Sequence, residues 1–168
     1  MVKLVKQNFL NNKKLYQSVT QKLRYKLNKD IPINHVGSTA IPNMYGKNII
    51  DVLIGAKNEI EFKEIATILV DMGYFASIHK DNVYQFFSSR KEETKSGDMH
   101  IHLVILNTER YEEFLILKNY LLNNKNEVLA YSNYKKELIQ KNITNRKDYK
   151  KVKSEYVTKL IERAKELL

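Results

Sequence analysis

Apolar residues recur along the chain with helical spacing in some stretches and strand-like spacing in others. Between Gln7 and about Asn28, four apolar residues recur at intervals of four positions, namely Leu15, Val19, Leu23 and Leu27. This spacing predicts an amphipathic helix. Asp30-Ile31-Pro32 should end it, and a short strand is expected from Ile33 to Gly37.

The middle of the chain is predicted to alternate between strands and one helix. In order, we expect a loop or short helix from Pro42 to Gly46, a buried strand from Ile49 to Ile54, a helix from about Asn58 to Gly73 with Phe62, Ile65, Leu69 and Met72 on one face, paired strands at Tyr74–His79 and Val83–Ser88, a polar loop from Arg90 to Asp98, and a strand from Met99 to Leu106.

The last third of the chain has helical periodicity throughout. After Asn107-Thr108, a predicted N-cap, one stripe comprises Tyr111, Phe114, Leu117 and Leu121. Two more helices are expected near 125–141 and 145–168. The pattern therefore predicts an α+β fold in which helices flank a mixed sheet and the C-terminal third is helical. At 168 residues, 1–168 is expected to be a single domain.

Composition narrows the class of protein. The chain has no Cys, which excludes disulfides and thiolate zinc sites and favours the cytoplasm. It contains neither a signal-peptide pattern nor an apolar run of membrane-spanning length, so no membrane association is expected. The net charge of +10 favours phosphate-bearing ligands, but only five of the 29 basic residues are arginines. Nucleic-acid binding is therefore possible but not favoured.

Asp51 interrupts an otherwise apolar strand, between Ile50 and Val52. A buried, unpaired carboxylate is costly. Asp51 is therefore expected at the open end of the strand, paired with a cation such as Lys47, or bound to a metal. The alternative is that it caps a neighbouring loop.

The segment His35-Val36-Gly37-Ser38-Thr39 leaves the preceding strand through a Gly-Ser pair. Such a turn can direct backbone N–H groups and two hydroxyls toward an anion. Gly and Ser are common in turns, so an ordinary turn is the alternative.

His100 and His102 are two residues apart in a predicted strand. Their side chains should share one face of the sheet, with Met99, Ile101 and Leu103 on the other. Two imidazoles on one face indicate either a phosphate site or a metal site, and the alternative is a pair of core histidines. We expect Ser38, Asp51 and both histidines to line one pocket.

Several separated motifs together resemble the signature of the GrpB family of bacterial proteins, which has a nucleotidyltransferase-like fold. The matching segments are His35–Pro42, Lys47–Leu53, Phe86-Phe87, His100–Leu103, Leu117–Leu121 and Tyr149–Tyr156 with Lys153. They span nearly the whole chain in the order and at the spacing of the family. The resemblance implies a nucleotidyltransferase-like sheet.

The nucleotidyltransferase resemblance also implies site chemistry. In that superfamily a Gly-Ser turn helps hold a triphosphate, and an Asp-x-Asp or Asp-x-Glu pair on the next strand holds Mg²⁺. Here Gly37-Ser38 is followed by Asp51, but Leu53 stands where the second acid is required. The GrpB pattern likewise lacks that acid and instead offers His-x-His on a later strand. Imidazole suits Zn²⁺ or Mn²⁺ better than Mg²⁺.

Two functions are consistent with these residues. One is metal-dependent nucleotidyl transfer from a nucleoside triphosphate, in which a divalent ion (Mg²⁺, Mn²⁺ or Zn²⁺) and the nucleotide are the expected cofactors. The other is a non-catalytic module that binds a nucleotide or phosphometabolite. In the first, the metal-binding and catalytic residues are Asp51, His100 and His102, and the phosphate-binding residues are His35, Gly37, Ser38, Thr39 and Lys47. The acceptor and the oligomeric state are left open by the sequence.

Overall fold

The computed structural model of the chain describes residues 1–28, 30–89 and 99–167. Its elements are β1 (Val5–Lys6), α1 (Phe9–Lys26), β2 (Ile33–Val36), a 3₁₀ turn (Ser38–Ala40), β3 (Tyr45–Gly46), β4 (Ile50–Ala56), α2 (Glu59–Asp71), β5 (Phe75–Lys80), β6 (Tyr84–Ser88), β7 (Met99–Ile105), α3 (Glu109–Asn123), α4 (Lys125–Gln140) and α5 (Arg146–Lys165). The α+β class and the helical C-terminal third are confirmed. The expected loop from Arg90 to Asp98 lies outside the described residues.

Five strands form one mixed sheet in the order β2-β4-β7-β6-β5. The central pair, β4 and β7, is parallel, and the other neighbours are antiparallel. Because β4 and β7 run in the same direction, their N-terminal ends lie side by side. This places Asp51, the second residue of β4, opposite His100, the second residue of β7.

Helices cover the two faces of the sheet unequally. On one face, α1 and α2 bury Val52, Ile54, Ile101 and Leu103 in the main core. On the other face, α3 covers a smaller cluster that contains Val36, Leu53, Val104 and Tyr111. Asp51 and His100 lie on this second face, beyond the cluster, and their side chains keep 21% and 22% of their surface exposed.

The first half of α1 departs from the expected apolar stripe. Leu23 and Leu27 are buried, whereas Leu15 is 48% exposed. The buried positions near the start of the helix are polar: the Asn12 side-chain amide donates to Oε1 of Gln7. This end of α1 therefore packs against a polar segment rather than against the sheet.

That segment contains a two-stranded sheet that the sequence pattern did not predict. β1 pairs antiparallel with β3, and the Gln7 amide donates to the carbonyl oxygens of Val5 and Gly46. The expectation of a loop or short helix over Pro42–Gly46 was wrong at its end, because Tyr45 and Gly46 form β3. Strands of two residues are too short to show an alternating pattern.

Helices α3, α4 and α5 form the C-terminal layer and hold the loop that precedes β4. Ile41 and Met44 insert among Leu121, Val128 and Leu160. Ser132 adds a polar contact to this packing, since its Oγ accepts a hydrogen bond from the Tyr45 backbone N–H at 3.1 Å. Among the described helices, none combines the length and apolar character needed to cross a membrane.

Candidate functional site

The site is built around Asp51 and the two histidines of β7. Nδ1 of His100 lies 3.1 Å from Oδ1 of Asp51, and Nε2 of His102 lies 3.6 Å from the same oxygen. The parallel register explains this grouping, because Asp51 pairs with His100 and Leu53 with His102. Residues two apart in a strand share a face. The structure therefore brings Asp51, His100 and His102 together, as expected.

Asp51 is held in its ionised form by its neighbours. Burial opposes ionisation, but hydrogen bonding to His100 and His102 and electrostatic attraction to the same two side chains outweigh it and hold the pKa of the carboxyl well below its ordinary range. An ionised carboxylate only accepts hydrogen bonds. Nδ1 of His100, which lies within hydrogen-bond distance of the carboxylate, must therefore carry a hydrogen.

The two histidines differ in what their second nitrogen contacts. Nδ1 of His102 lies 3.0 Å from the Tyr84 hydroxyl, which donates to this nitrogen when the ring carries its hydrogen on Nε2. Its ring is also enclosed by Phe86 and Phe114. His100 packs edge-on against Phe86, and no hydrogen bond to its Nε2 occurs within the described ranges. Both ring nitrogens of His102 thus lie near a polar partner, whereas Nε2 of His100 has no hydrogen-bond partner among the described residues.

The turn at Gly37 lies directly against the Asp51 carboxylate. Gly37 has φ of 73° and ψ of −170°, a conformation essentially restricted to glycine. A Cβ built on Gly37 would lie 2.2 Å from Oδ2 of Asp51. The backbone at Gly37 therefore lies so close to the Asp51 carboxylate that only a residue without a side chain fits there.

Ser38 follows Gly37 at the start of the 3₁₀ turn and is partly exposed. A Cβ built on Gly46 of β3 would lie 2.2 Å from the Ser38 Oγ, so β3 supports this residue from behind. In the part of the chain that the structure describes, the Ser38 hydroxyl forms no hydrogen bond. Its hydroxyl can therefore donate to a ligand.

The side chains of His35 and Thr39, both expected to contact phosphate, do not lie on the face of the sheet that carries Asp51. His35 pairs with Val52 across β2 and β4, and Val52 belongs to the opposite face. The His35 ring stacks on Tyr16, with 4.5 Å between centroids, and its Nε2 lies 2.9 Å from the Thr39 hydroxyl. Thr39 is fully buried. The contact between His35 and Thr39 therefore stabilises the Gly37-Ser38 turn from the opposite face of the sheet.

The buried His35 predicts a pH dependence of stability. Burial, aided by the positive charge of Lys118, lowers its pKa to about 4, against 6.5 for a free histidine. Between these values the unfolded chain binds a proton that the folded chain does not. We therefore expect the free energy of unfolding to fall by roughly 3 kcal/mol as the pH is lowered from 6.5 to 4.

Urea unfolding at a series of pH values checks this expectation, with His35→Gln as the matched variant. Glutamine can still bond to Thr39 but does not titrate. The variant should therefore lose most of the dependence between pH 6.5 and 4. Equal slopes for the two proteins would show that His35 is not the titrating group.

Lys47 does not form the expected ion pair with Asp51. No salt bridge joins them within the described residues, and the histidines occupy the carboxylate instead. Burial lowers the pKa of Lys47, while the charge of Asp51 raises it and those of Arg146 and Lys150 lower it. Lys47 is thus close to Asp51 but also lies among other cations.

Lys153 of α5 joins the same group of charges. Burial lowers its pKa, Asp51 raises it, and Lys47 and Lys150 lower it further. Sequence reasoning noted Lys153 only as part of the family resemblance. A stronger signal was available, since Lys153 interrupts an apolar stripe formed by Tyr149, Tyr156 and Leu160 on α5.

Lys135 of α4 was missed entirely. It is only 3% exposed, its Nζ donates to the Tyr45 carbonyl, and it lies 4.3 Å from the Tyr131 ring centroid. Burial, with a contribution from Lys153, lowers its pKa to about 7. It too stands in an apolar stripe, between Tyr131 and Leu138. Lys135 of α4 and Lys153 of α5 therefore both lie near the segment that precedes β4, the first at Tyr45 and the second near Lys47.

The donor set does not fit a magnesium ion. Mg²⁺ prefers oxygen ligands, and Leu53 lies within an apolar cluster where a second acid would be needed. Nδ1 of His100 forms a hydrogen bond with Oδ1 of Asp51, and Nε2 of His102 lies 3.6 Å from the same oxygen. Across the described residues, no group of three or more His, Cys, Asp or Glu side chains is arranged to hold a metal ion. Asp51, His100 and His102, which the sequence predicts as metal ligands, thus contact one another directly.

Comparison with known proteins identifies the family. The family described as "GrpB protein" matches residues 2–163. The chain belongs to the GrpB family. Among curated GrpB-like relatives, a UPF0157 protein of Streptomyces coelicolor is 22% identical over 82% of this chain and 71% of its own length. A UPF0157 protein of Halalkalibacterium halodurans is 26% identical over 90% of this chain and 76% of its own length.

A solved structure confirms the GrpB fold. The conserved protein GrpB from Enterococcus faecalis aligns with a TM-score of 0.81 and 19% identity, covering 96% of each chain. A Cid1 poly(U) polymerase with MgGTP bound aligns with a TM-score of 0.47 and 11% identity, over 68% of this chain and 38% of that one. The second likeness is too low to support an inference about activity here.

Proposed function

We propose that this GrpB-family chain binds the phosphate groups of a nucleotide or a phosphorylated metabolite at the Gly37-Ser38 turn beside Asp51. The observation that carries the proposal is the excess of positive charge around a single carboxylate. Lys47 and Lys153 both lie within electrostatic range of Asp51 and of each other, and Lys150 lies close to both. The Asp51 carboxylate itself already forms a hydrogen bond with His100 and lies close to His102.

Partly buried cations without enough negative charge destabilise one another. A phosphate ligand would supply the missing charge, and charge-assisted hydrogen bonds from lysine are among the stronger polar interactions in proteins. The Gly37-Ser38 turn would add backbone N–H donors and one hydroxyl. Together these groups favour a compact anion with several oxygens.

Thermal unfolding with added phosphate compounds tests the proposal. At a concentration about 100 times Kd, a ligand stabilises the folded state by about 2.7 kcal/mol, which corresponds to roughly 5–10 °C for a chain of this size. We expect such a shift with at least one member of a panel of nucleoside triphosphates, pyrophosphate and sugar phosphates. The shift should persist in EDTA. The absence of any shift across the panel would contradict phosphate binding.

Asp51→Asn separates direct phosphate binding from the metal-dependent alternative. If lysines and the turn bind the phosphate, removing one negative charge should preserve or increase the thermal shift. If a divalent ion bridges Asp51 and the nucleotide, as in metal-dependent nucleotidyl transfer, the variant should lose the shift and EDTA should abolish it in the wild type. We expect the first result.

A further inference from the structure

The two histidines of the site are not equivalent, and the difference gives His100 a distinct chemical capacity. Both rings direct an N–H toward Oδ1 of Asp51. His102 uses its other nitrogen on Tyr84. His100 has no such second partner in the described part of the chain, and its side chain is 22% exposed.

The ring geometry of His100 fixes where its reactive nitrogen lies. Nδ1 and Nε2 are on opposite sides of an imidazole ring, so a ring that donates Nδ1–H to Asp51 presents Nε2 away from the carboxylate. In the neutral tautomer Nε2 then carries the lone pair. A carboxylate behind an imidazole holds the tautomer and stabilises the cation that forms when the ring gains a bond or proton.

We propose that Nε2 of His100 is a nucleophile that attacks a phosphorus atom of a bound phosphoanhydride, giving a covalent phosphohistidine-type intermediate. This inference rests on the phosphate-binding function proposed above. It also accounts for the poor fit to a magnesium ion, because Asp51 is engaged in orienting imidazoles rather than in collecting a metal. Activation of a nucleophile by a paired group is a common catalytic strategy.

The step balances without another reactant. The Nε2 lone pair forms the N–P bond, and the bond from phosphorus to the bridging oxygen breaks with its electron pair leaving on that oxygen. Attack at the α-phosphorus of a nucleoside triphosphate gives a nucleotidyl-histidine and pyrophosphate, and attack at the γ-phosphorus gives a phosphohistidine and the diphosphate. The Nδ1 hydrogen stays between the ring and Asp51, whose negative charge offsets the positive ring.

The positions of the lysines support this chemistry. Phosphate oxygens repel a nucleophile unless their charge is neutralised, and cations beside the transferred group stabilise the transition state. Lys47 and Lys153 both lie within electrostatic range of Asp51, the residue that holds His100. The carboxylate that holds His100 and the cations that would bind the phosphate chain therefore belong to one group of charges.

Labelling the full chain with [α-³²P] or [γ-³²P] nucleoside triphosphates in EDTA tests the proposal. Samples are kept alkaline, where phosphohistidine survives, and the modified peptide is mapped by mass spectrometry. We expect label on His100, from one of the two phosphate positions, that is lost on acid treatment. His100→Asn should abolish labelling, and Asp51→Asn should reduce the rate of labelling at saturating nucleotide at least tenfold.

The thermal shift with the same nucleotide is measured on every variant, so that loss of label is distinguished from loss of folding or binding. Label on another residue, or label that survives in His100→Asn, would overturn the proposal. A wild-type chain that shows the thermal shift without label would also overturn it but leave phosphate binding intact. If the thermal shift is absent as well, the proposed function itself fails.

Discussion

Replacement of Gly37 by alanine is expected to destabilise the protein by about 2–6 kcal/mol and to abolish phosphate binding. Two independent costs add at this position. The backbone conformation, with φ of 73°, is strained for any residue with a Cβ, at a cost of about 1–3 kcal/mol. The new Cβ would also overlap Oδ2 of Asp51 at 2.2 Å, and overpacking of this kind costs a further 1–3 kcal/mol, roughly.

Gly73→Ala provides a matched control for Gly37→Ala. Gly73 also has a positive φ, 87°, but a Cβ built there meets nothing within 4 Å. It should therefore show only the conformational cost, about 1 kcal/mol, with ligand binding unchanged. Urea unfolding and the ligand-induced thermal shift measure both effects. Equal destabilisation by the two substitutions would contradict the close contact between Gly37 and Asp51.

Replacing Lys47 and Lys153 together by alanine is expected to weaken phosphate binding by roughly three orders of magnitude. Each charge-assisted hydrogen bond contributes about 1.5–3 kcal/mol, and the two lysines lie in the same charge cluster. Stability should not fall in parallel, because burial, together with neighbouring cations, already disfavours the charged form of each lysine. The affinity for pyrophosphate or a nucleoside triphosphate is measured by isothermal titration calorimetry.

The control for the lysine pair is Lys151→Ala with Lys159→Ala. Both residues are exposed on the same helix, α5, so this variant removes the same number of charges. It should change affinity by less than about threefold at 0.15 M salt, where distant surface charges are screened. If both double variants lose affinity equally, the binding depends on net charge and not on the site.

Side-chain alternation along two predicted strands was sufficient to predict that Asp51, His100 and His102 lie together. A carboxylate interrupting an apolar strand and two histidines in alternation on another indicated one shared face, and the parallel pairing of β4 with β7 brings them into contact. The same alternation could have excluded His35. It lies close to Gly37 along the chain, but the pleat of β2 directs its side chain to the opposite face.

Other parts of the site depend on tertiary packing that local patterns do not reveal. β1 and β3 are two residues each, yet they place Gly46 against Ser38. The contributions of Lys135 and Lys153 depend on how α4 and α5 pack against the loop before β4. Their positions within apolar stripes were visible in the sequence, but which charge or carbonyl each would meet was not.

The location of the phosphate site is tested most directly by ¹H–¹⁵N NMR of the wild-type chain titrated with pyrophosphate and with a nucleoside triphosphate. The backbone amide signals of Gly37 and Ser38 should move first and furthest, together with those around Asp51 and His100, and all should saturate with one affinity. Saturable shifts confined to other surfaces, with the Gly37-Ser38 turn unaffected, would contradict a phosphate site at this turn.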